Sequence, residues 1–165
     1  MVEDRVKSFK ERVNGALERI VSGQPGRGYV LAESSMHPDL VEMSKYSFSS
    51  EGNMWRPLFL RSTAVGRYRV SEKIVIPYAA VLEGNHINTL NLDDLPCMDD
   101  QDTRRGKPTP HIQFSLPKSA SKDSGTSKVI ISAFSLLDYF NKAVDYGPAA
   151  REQNCKISNE FSAAR

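Results

Sequence analysis

Cysteine is scarce and poorly spaced for a framework. The two that occur, Cys97 and Cys155, lie far apart and form no CxxC pair. That excludes a structural zinc site of the usual spacing and a secreted disulfide scaffold, and a reducing compartment fits best. Charge of one sign is lacking too. With 22 Lys+Arg against 20 Asp+Glu the net charge is only +2, so no nucleic-acid partner held by bulk electrostatics is expected. Long apolar runs are missing: the longest, Ile74 to Leu82, is broken by Pro77 and too short to cross a bilayer. No membrane span is expected. The opening Met1-Val2-Glu3-Asp4-Arg5 has neither the apolar stretch of a secretory signal nor the acid-poor character of a transit peptide. No targeting peptide is visible, and the chain reads as soluble. Strand alternation long enough to compete with helices, internal repeats and sustained heptads are absent as well.

What remains is helical patterning in a chain whose 39% hydrophobic content supports one domain with a real core. Val2, Val6, Phe9, Val13, Leu17 and Ile20 recur at three- and four-residue intervals, which predicts an opening helix ended by Gly23-Gln24-Pro25-Gly26. Pro38-Asp39 starts a second helix through Leu40, Met43 and Tyr46, and Arg56-Pro57 a third with Leu58, Phe59 and Leu60, because proline suits a first helical turn. From Pro77 to Leu92 the pattern is helical again, with Leu82, His86, Thr89 and Asp93 on one stripe. Pro96 breaks that helix, and Asp99 to Pro110 reads as a loop. Ser115 to Ser127 reads as a flexible link, and Val129 to Val144 as a last amphipathic helix stopped near Gly147-Pro148. The fold class is all-α. Residues 1–144 are expected to form the domain and 145–165 a flexible tail.

The chemistry sits where the stripe ends. Asp93, Asp94 and Asp99 gather hard carboxylate oxygens at a helix end, which suits Mg²⁺, an ion usually held by a few carboxylates together with substrate phosphates. Arg104 and Arg105 follow, and guanidinium forks match phosphate geometry. A generic acidic loop of this kind is more often merely solvated. Here the whole run Asp93-Asp94-Leu95-Pro96-Cys97-Met98-Asp99-Asp100-Gln101-Asp102-Thr103-Arg104-Arg105-Gly106-Lys107-Pro108-Thr109-Pro110-His111 resembles the first aspartate-rich motif of the trans-prenyltransferases. It is most similar to geranylgeranyl diphosphate synthases of the plant and bacterial type.

The resemblance runs upstream. Glu83 and His86 stand where that family has a glutamate and the histidine that contacts isopentenyl diphosphate. Lys45 to Pro57 resembles, without gaps, the segment carrying the family's Lys-Arg-x-Arg-Pro run; Arg56 and Pro57 match, while Asn53 and Met54 replace its lysine and first arginine. The likeness is strong from Ser44 to His111, faint from Gly125 to Phe140 and absent from the tail, so it covers the N-terminal half of the family fold. It implies a partial isoprenoid-synthase helical bundle with Asp93, Asp94 and Asp99 as catalytic metal ligands for Mg²⁺. Arg104 would contact the allylic diphosphate, and Arg105, His86 and Arg56 the isopentenyl diphosphate. Asn88 and Thr89, without a bulky ring, and the two extra motif residues Pro96 and Cys97 imply a C20 product.

The family's second aspartate-rich motif has no counterpart: after His111 the acids Asp123, Asp138, Asp145, Glu152 and Glu160 are never paired. Gly84, Asn85, Asn88 and Asn91 stand where the family mostly has apolar or bulkier residues, implying relaxed function or a different packing environment. Three readings follow. One is a prenyltransferase condensing isopentenyl diphosphate with an allylic diphosphate, impaired when alone. Another is a non-catalytic small subunit that binds a full-length prenyl diphosphate synthase, and the third is a truncated inactive product. A homodimer or such a heteromer, in the cytoplasm or the plastid stroma, is the implied setting.

Overall fold

In the opening helix, α1 (Val2–Val21), Phe9, Val13, Ala16, Leu17, Ile20 and Val21 are all essentially buried, as their spacing predicts. The computed structural model describes residues 2–22, 37–49, 52–115 and 124–145. The expected stop at Gly23 to Gly26, most of the 115–127 link and nearly all of the expected tail lie outside them. Helix α2 (Pro38–Phe48) starts on its proline, and α3 (Trp55–Arg61) continues into a π-helical stretch, Ser62–Arg67. Next come the long α4 (Glu72–Asp93), a two-residue antiparallel pair, β1 (Thr103–Arg104) with β2 (Lys107–Pro108), a short α5 (Pro110–Gln113) and α6 (Ser124–Asp145). Among the described residues the fold is all-α apart from that pair.

Two sequence expectations are corrected. Helix α4 begins at Glu72, not Pro77, so the proline lies in its interior and withholds one backbone donor. That ordinarily costs about 3 kcal/mol; burial of Val75, Ile76 and Pro77 offsets it. Residues 124 to 127, expected in a flexible link, form the first turn of α6. Gly125 there lies against His111, whose carbonyl oxygen would be 1.9 Å from any added Cβ.

Gly84 explains how α4 sits. A Cβ on it would stand 2.2 Å from Phe140 Cζ and 2.8 Å from Leu17 Cδ2, so α1, α4 and α6 converge on a point where only glycine fits. The neighbouring asparagines are used as well: Asn88 Nδ2 donates to the Ala133 carbonyl of α6 at 3.1 Å, and Asn91 Nδ2 to Ser47 Oγ of α2 at 3.0 Å. Gly84, Asn88 and Asn91 are therefore packing devices rather than a loosening. On the opposite side Glu72 accepts from Arg12 of α1 at 3.0 Å and from Arg61 of α3, clamping three helices at the start of α4.

Candidate functional site

Helix α4 ends on the aspartate pair. Carboxylates at a helix C-terminus face the negative end of the macrodipole and need a cation nearby. The chain supplies one at once: Asp94, with no exposed surface, accepts from Arg104 Nε at 2.8 and 2.9 Å and from its Nη2 at 2.6 Å. This fork raises the arginine pKa above its ordinary value. What lets Arg104 turn back is local backbone: Arg105 (φ 52°) and Gly106 (φ 76°) form a left-handed turn between β1 and β2. Beside the fork is a cavity of only about 30 Å³, between Tyr46, Asn91 and Thr109, room for water and little else.

The other two carboxylates are placed differently. The Asp99 backbone N–H donates to the Asp93 carbonyl at 2.8 Å, so the turn through Pro96 brings the two residues back together. Asp93 is half-buried and Asp99 exposed. Among the described residues no three His, Cys, Asp or Glu side chains gather into a metal-holding group. The arrangement thus offers two accessible carboxylates with Asp94 engaged by Arg104. That donor set fits Mg²⁺ of the kind completed by substrate phosphates, for which one or two carboxylates suffice.

Arg56, His86 and Arg105 meet in an open cleft of about 350 Å³, together with Gly52, Asn53, Met54, Trp55 and Glu83. Arg56 starts α3, His86 comes from the middle of α4, and the left-handed turn delivers Arg105. A Cβ on Gly52 would stand 2.7 Å from Arg105 Nη1, so that guanidinium lies against bare backbone. Burial lowers the His86 pKa, as do Arg56, Arg105 and Arg104, with Asp93 opposing them. The cleft therefore favours the neutral imidazole over the charged one. Met54, where the resembled family has an arginine, is instead buried in the core.

Sequence reasoning matched Glu83 to the family's glutamate without giving it a place in the site. Glu83 is 2% exposed yet lines the cleft, and burial raises its pKa against the pull of Arg105, Arg56 and Lys10. One feature escaped it altogether: an apolar groove of about 630 Å³ between α3 and α4, lined by Trp55, Arg56, Phe59, Leu60, Thr63 and Leu82 and continuous with the cleft through Trp55 and Arg56.

Comparison with known proteins then fits the geometry. The family model described as Polyprenyl synthetase matches residues 37–146. Farnesyl diphosphate synthase of Bacillus subtilis is 43% identical over 86 residues, covering 52% of this chain and 29% of that protein. Geranylgeranyl diphosphate synthase of Pseudescherichia vulneris is 31% identical over 129 residues, covering 76% of this chain and 39% of its own. Among solved structures, an FPP/GFPP synthase from Zymomonas mobilis superposes with a TM-score of 0.62 at 26% identity, over 86% of this chain and 45% of that one. The chain thus spans about 29 to 39% of these two curated relatives.

Proposed function

The chain belongs to the polyprenyl synthetase family, and from that premise we propose that it carries the diphosphate-holding half of a geranylgeranyl diphosphate synthase-like prenyltransferase. The reaction is condensation of isopentenyl diphosphate with an allylic diphosphate. The observation that carries this reading is the cleft where Arg56, His86 and Arg105 converge beside the aspartate turn. Two guanidinium groups hold a diphosphate in charge-assisted hydrogen bonds, and neutral His86 adds one without competing for the charge. Arg104, held by Asp94, stands next to Asp93 and Asp99 on the allylic side of the turn. Asp93 and Asp99 would hold Mg²⁺; when bound, the ion neutralises the leaving diphosphate. Asp94, whose oxygens are taken by Arg104, positions that arginine rather than serving as an open ligand. The apolar groove is continuous with the cleft and suits a hydrocarbon tail, and the lack of an aromatic at Asn88 or Thr89 favours the longer, C20 product.

Ionisation of the allylic partner needs charge neutralised from more than one direction, and this half supplies one. Weak turnover by the chain alone is expected. The outer face of α6, where Ile131 is 56%, Phe134 70% and Leu137 45% exposed, supports a partnered form, a homodimer or a heteromer with a full-length synthase. The test is thermal denaturation with isopentenyl diphosphate, and with an allylic diphosphate with and without Mg²⁺, beside product analysis from labelled substrates. A rise in melting temperature with each diphosphate, enhanced by Mg²⁺ for the allylic one, is expected. No shift with either at saturating concentration would overturn the reading.

A further inference from the structure

Trp55 is the one tryptophan of the chain, and it is 73% exposed. It opens α3 directly after Met54, a buried N-cap residue in the left-handed conformation (φ 52°), so its backbone is anchored while its side chain stays outside. It lines both the cleft that holds Arg56 and His86 and the apolar groove that runs on between α3 and α4. Phe59, one turn along α3, is 76% exposed in the same groove, and Leu82 lines it from α4. Large apolar side chains gathered in one exposed patch mark a binding surface. Continuity with a cationic cleft says what fits there: a molecule with an anionic head and an apolar tail. Neither Asn88, which donates to the Ala133 carbonyl of α6, nor Thr89, which donates to the His86 carbonyl, lines the groove. The tail is therefore met by α3.

We propose that Trp55 is the specificity-determining residue of this site: the cleft takes the head of a prenyl diphosphate, the first carbons of its chain lie on the indole, and Phe59 and Leu82 receive the rest. The inference rests on the reading of the cleft as a diphosphate site. Arg56, exposed and next to Trp55, supplies charge for the head. Asn53 and Met54, just before it, supply none. Contacts along the chain then carry more of the affinity, and ligands are ranked by tail length. A five-carbon diphosphate is held by its head, and a longer one adds the apolar area it buries on Trp55 and Phe59.

Calorimetric titration without Mg²⁺, so that the aspartate turn takes no part, compares inorganic pyrophosphate, dimethylallyl diphosphate and geranyl diphosphate. Geranyl diphosphate should bind about tenfold or more tighter than dimethylallyl diphosphate. It should also move the Trp55 emission to shorter wavelength, where pyrophosphate leaves it nearly unmoved. Trp55→Ala should weaken geranyl diphosphate about tenfold and pyrophosphate much less, and Trp55→Phe should recover most of that loss. Phe59→Ala should lower the geranyl affinity and spare the dimethylallyl one. Both side chains are exposed, so neither change removes core packing. Equal affinity for the two prenyl diphosphates, or a length dependence that survives Trp55→Ala, would overturn the proposal and leave the groove to a protein partner. Failure of pyrophosphate and both prenyl diphosphates to bind would remove the diphosphate reading of the cleft, and this inference with it.

Discussion

The two sides of α4 are built to opposite rules. On the inner side polar groups are matched and close space is filled: Gly84 admits Phe140 and Leu17, Asn88 and Asn91 hydrogen-bond to α6 and α2, and just past its end Asp94 is closed into the Arg104 fork. On the outer side Leu82, Glu83 and His86 face a groove and a cleft with Arg56 and Arg105 exposed around them. The inner side spends its residues on stability, and the outer side presents charge to an open cleft. The difference teaches that neighbours in sequence can belong to different machines. Arg104 and Arg105 are adjacent; one completes a buried pair and the other lines an open cleft.

If that division is right, inner-side substitutions should cost stability and outer-side ones affinity. The largest effect should come from the fork. Arg104→Ala strands a carboxylate with no exposed surface and should cost about 3–5 kcal/mol, enough to abolish cooperative unfolding in a domain of ordinary stability. Asp94→Ala should cost less, because the Arg104 side chain is 35% exposed and can be hydrated. Urea midpoints of the two variants measure this, and a larger loss for Asp94→Ala would break the argument. Next is Gly84→Ala. Its methyl would press on Phe140 and Leu17, both essentially buried. Overpacking of about 1–3 kcal/mol should outweigh the roughly 1 kcal/mol that alanine gains in helix propensity. A stabilised Gly84→Ala would mean that the three helices do not meet so closely.

On the outer side Arg56→Ala should leave the urea midpoint almost unmoved, the residue being exposed. Its diphosphate affinity should fall about tenfold or more, the value of one charge-assisted contact of about 1.5–3 kcal/mol. Titration with isopentenyl diphosphate against the wild type reads the change. Equal affinity would place the anion elsewhere.

Much of this was legible from residues alone, and what was not has a physical reason. Helix periodicity located α1, α2, α3 and α6, and the run from Asp93 to His111 carried the family resemblance. Of the site residues expected, Arg56, His86 and Arg105 share one cleft, although they come from three parts of the chain. The Asp94–Arg104 fork was hidden because it depends on a left-handed turn at Arg105 and Gly106, and spacing in sequence does not give the direction of a side chain after such a turn. Gly84 looked like a weakness in a helix because its partners, Leu17 and Phe140, are far away along the chain. The start of α4 was read at Pro77, but burial of Val75, Ile76 and Pro77 keeps the proline inside a helix that begins at Glu72.

The smallest effect tests the outer side by its cost rather than its ligand. Burial raises the Glu83 pKa above its unfolded value, so the folded chain holds that proton more tightly than the unfolded one. The linkage then runs one way. Glu83's contribution to stability is most favourable below the unfolded pKa, near the ordinary 4.5, and is lost as pH rises through the folded value. Glu83→Gln cannot ionise and escapes that loss. Its melting temperature should exceed the wild type's by a few degrees near neutrality, by about 1 kcal/mol or less of stability, and the gap should close toward about pH 4. A variant less stable than the wild type at neutral pH would mean that the ionised carboxylate supports the cleft. Glu83 would then belong with Asp94, on the side of α4 where charges are paired.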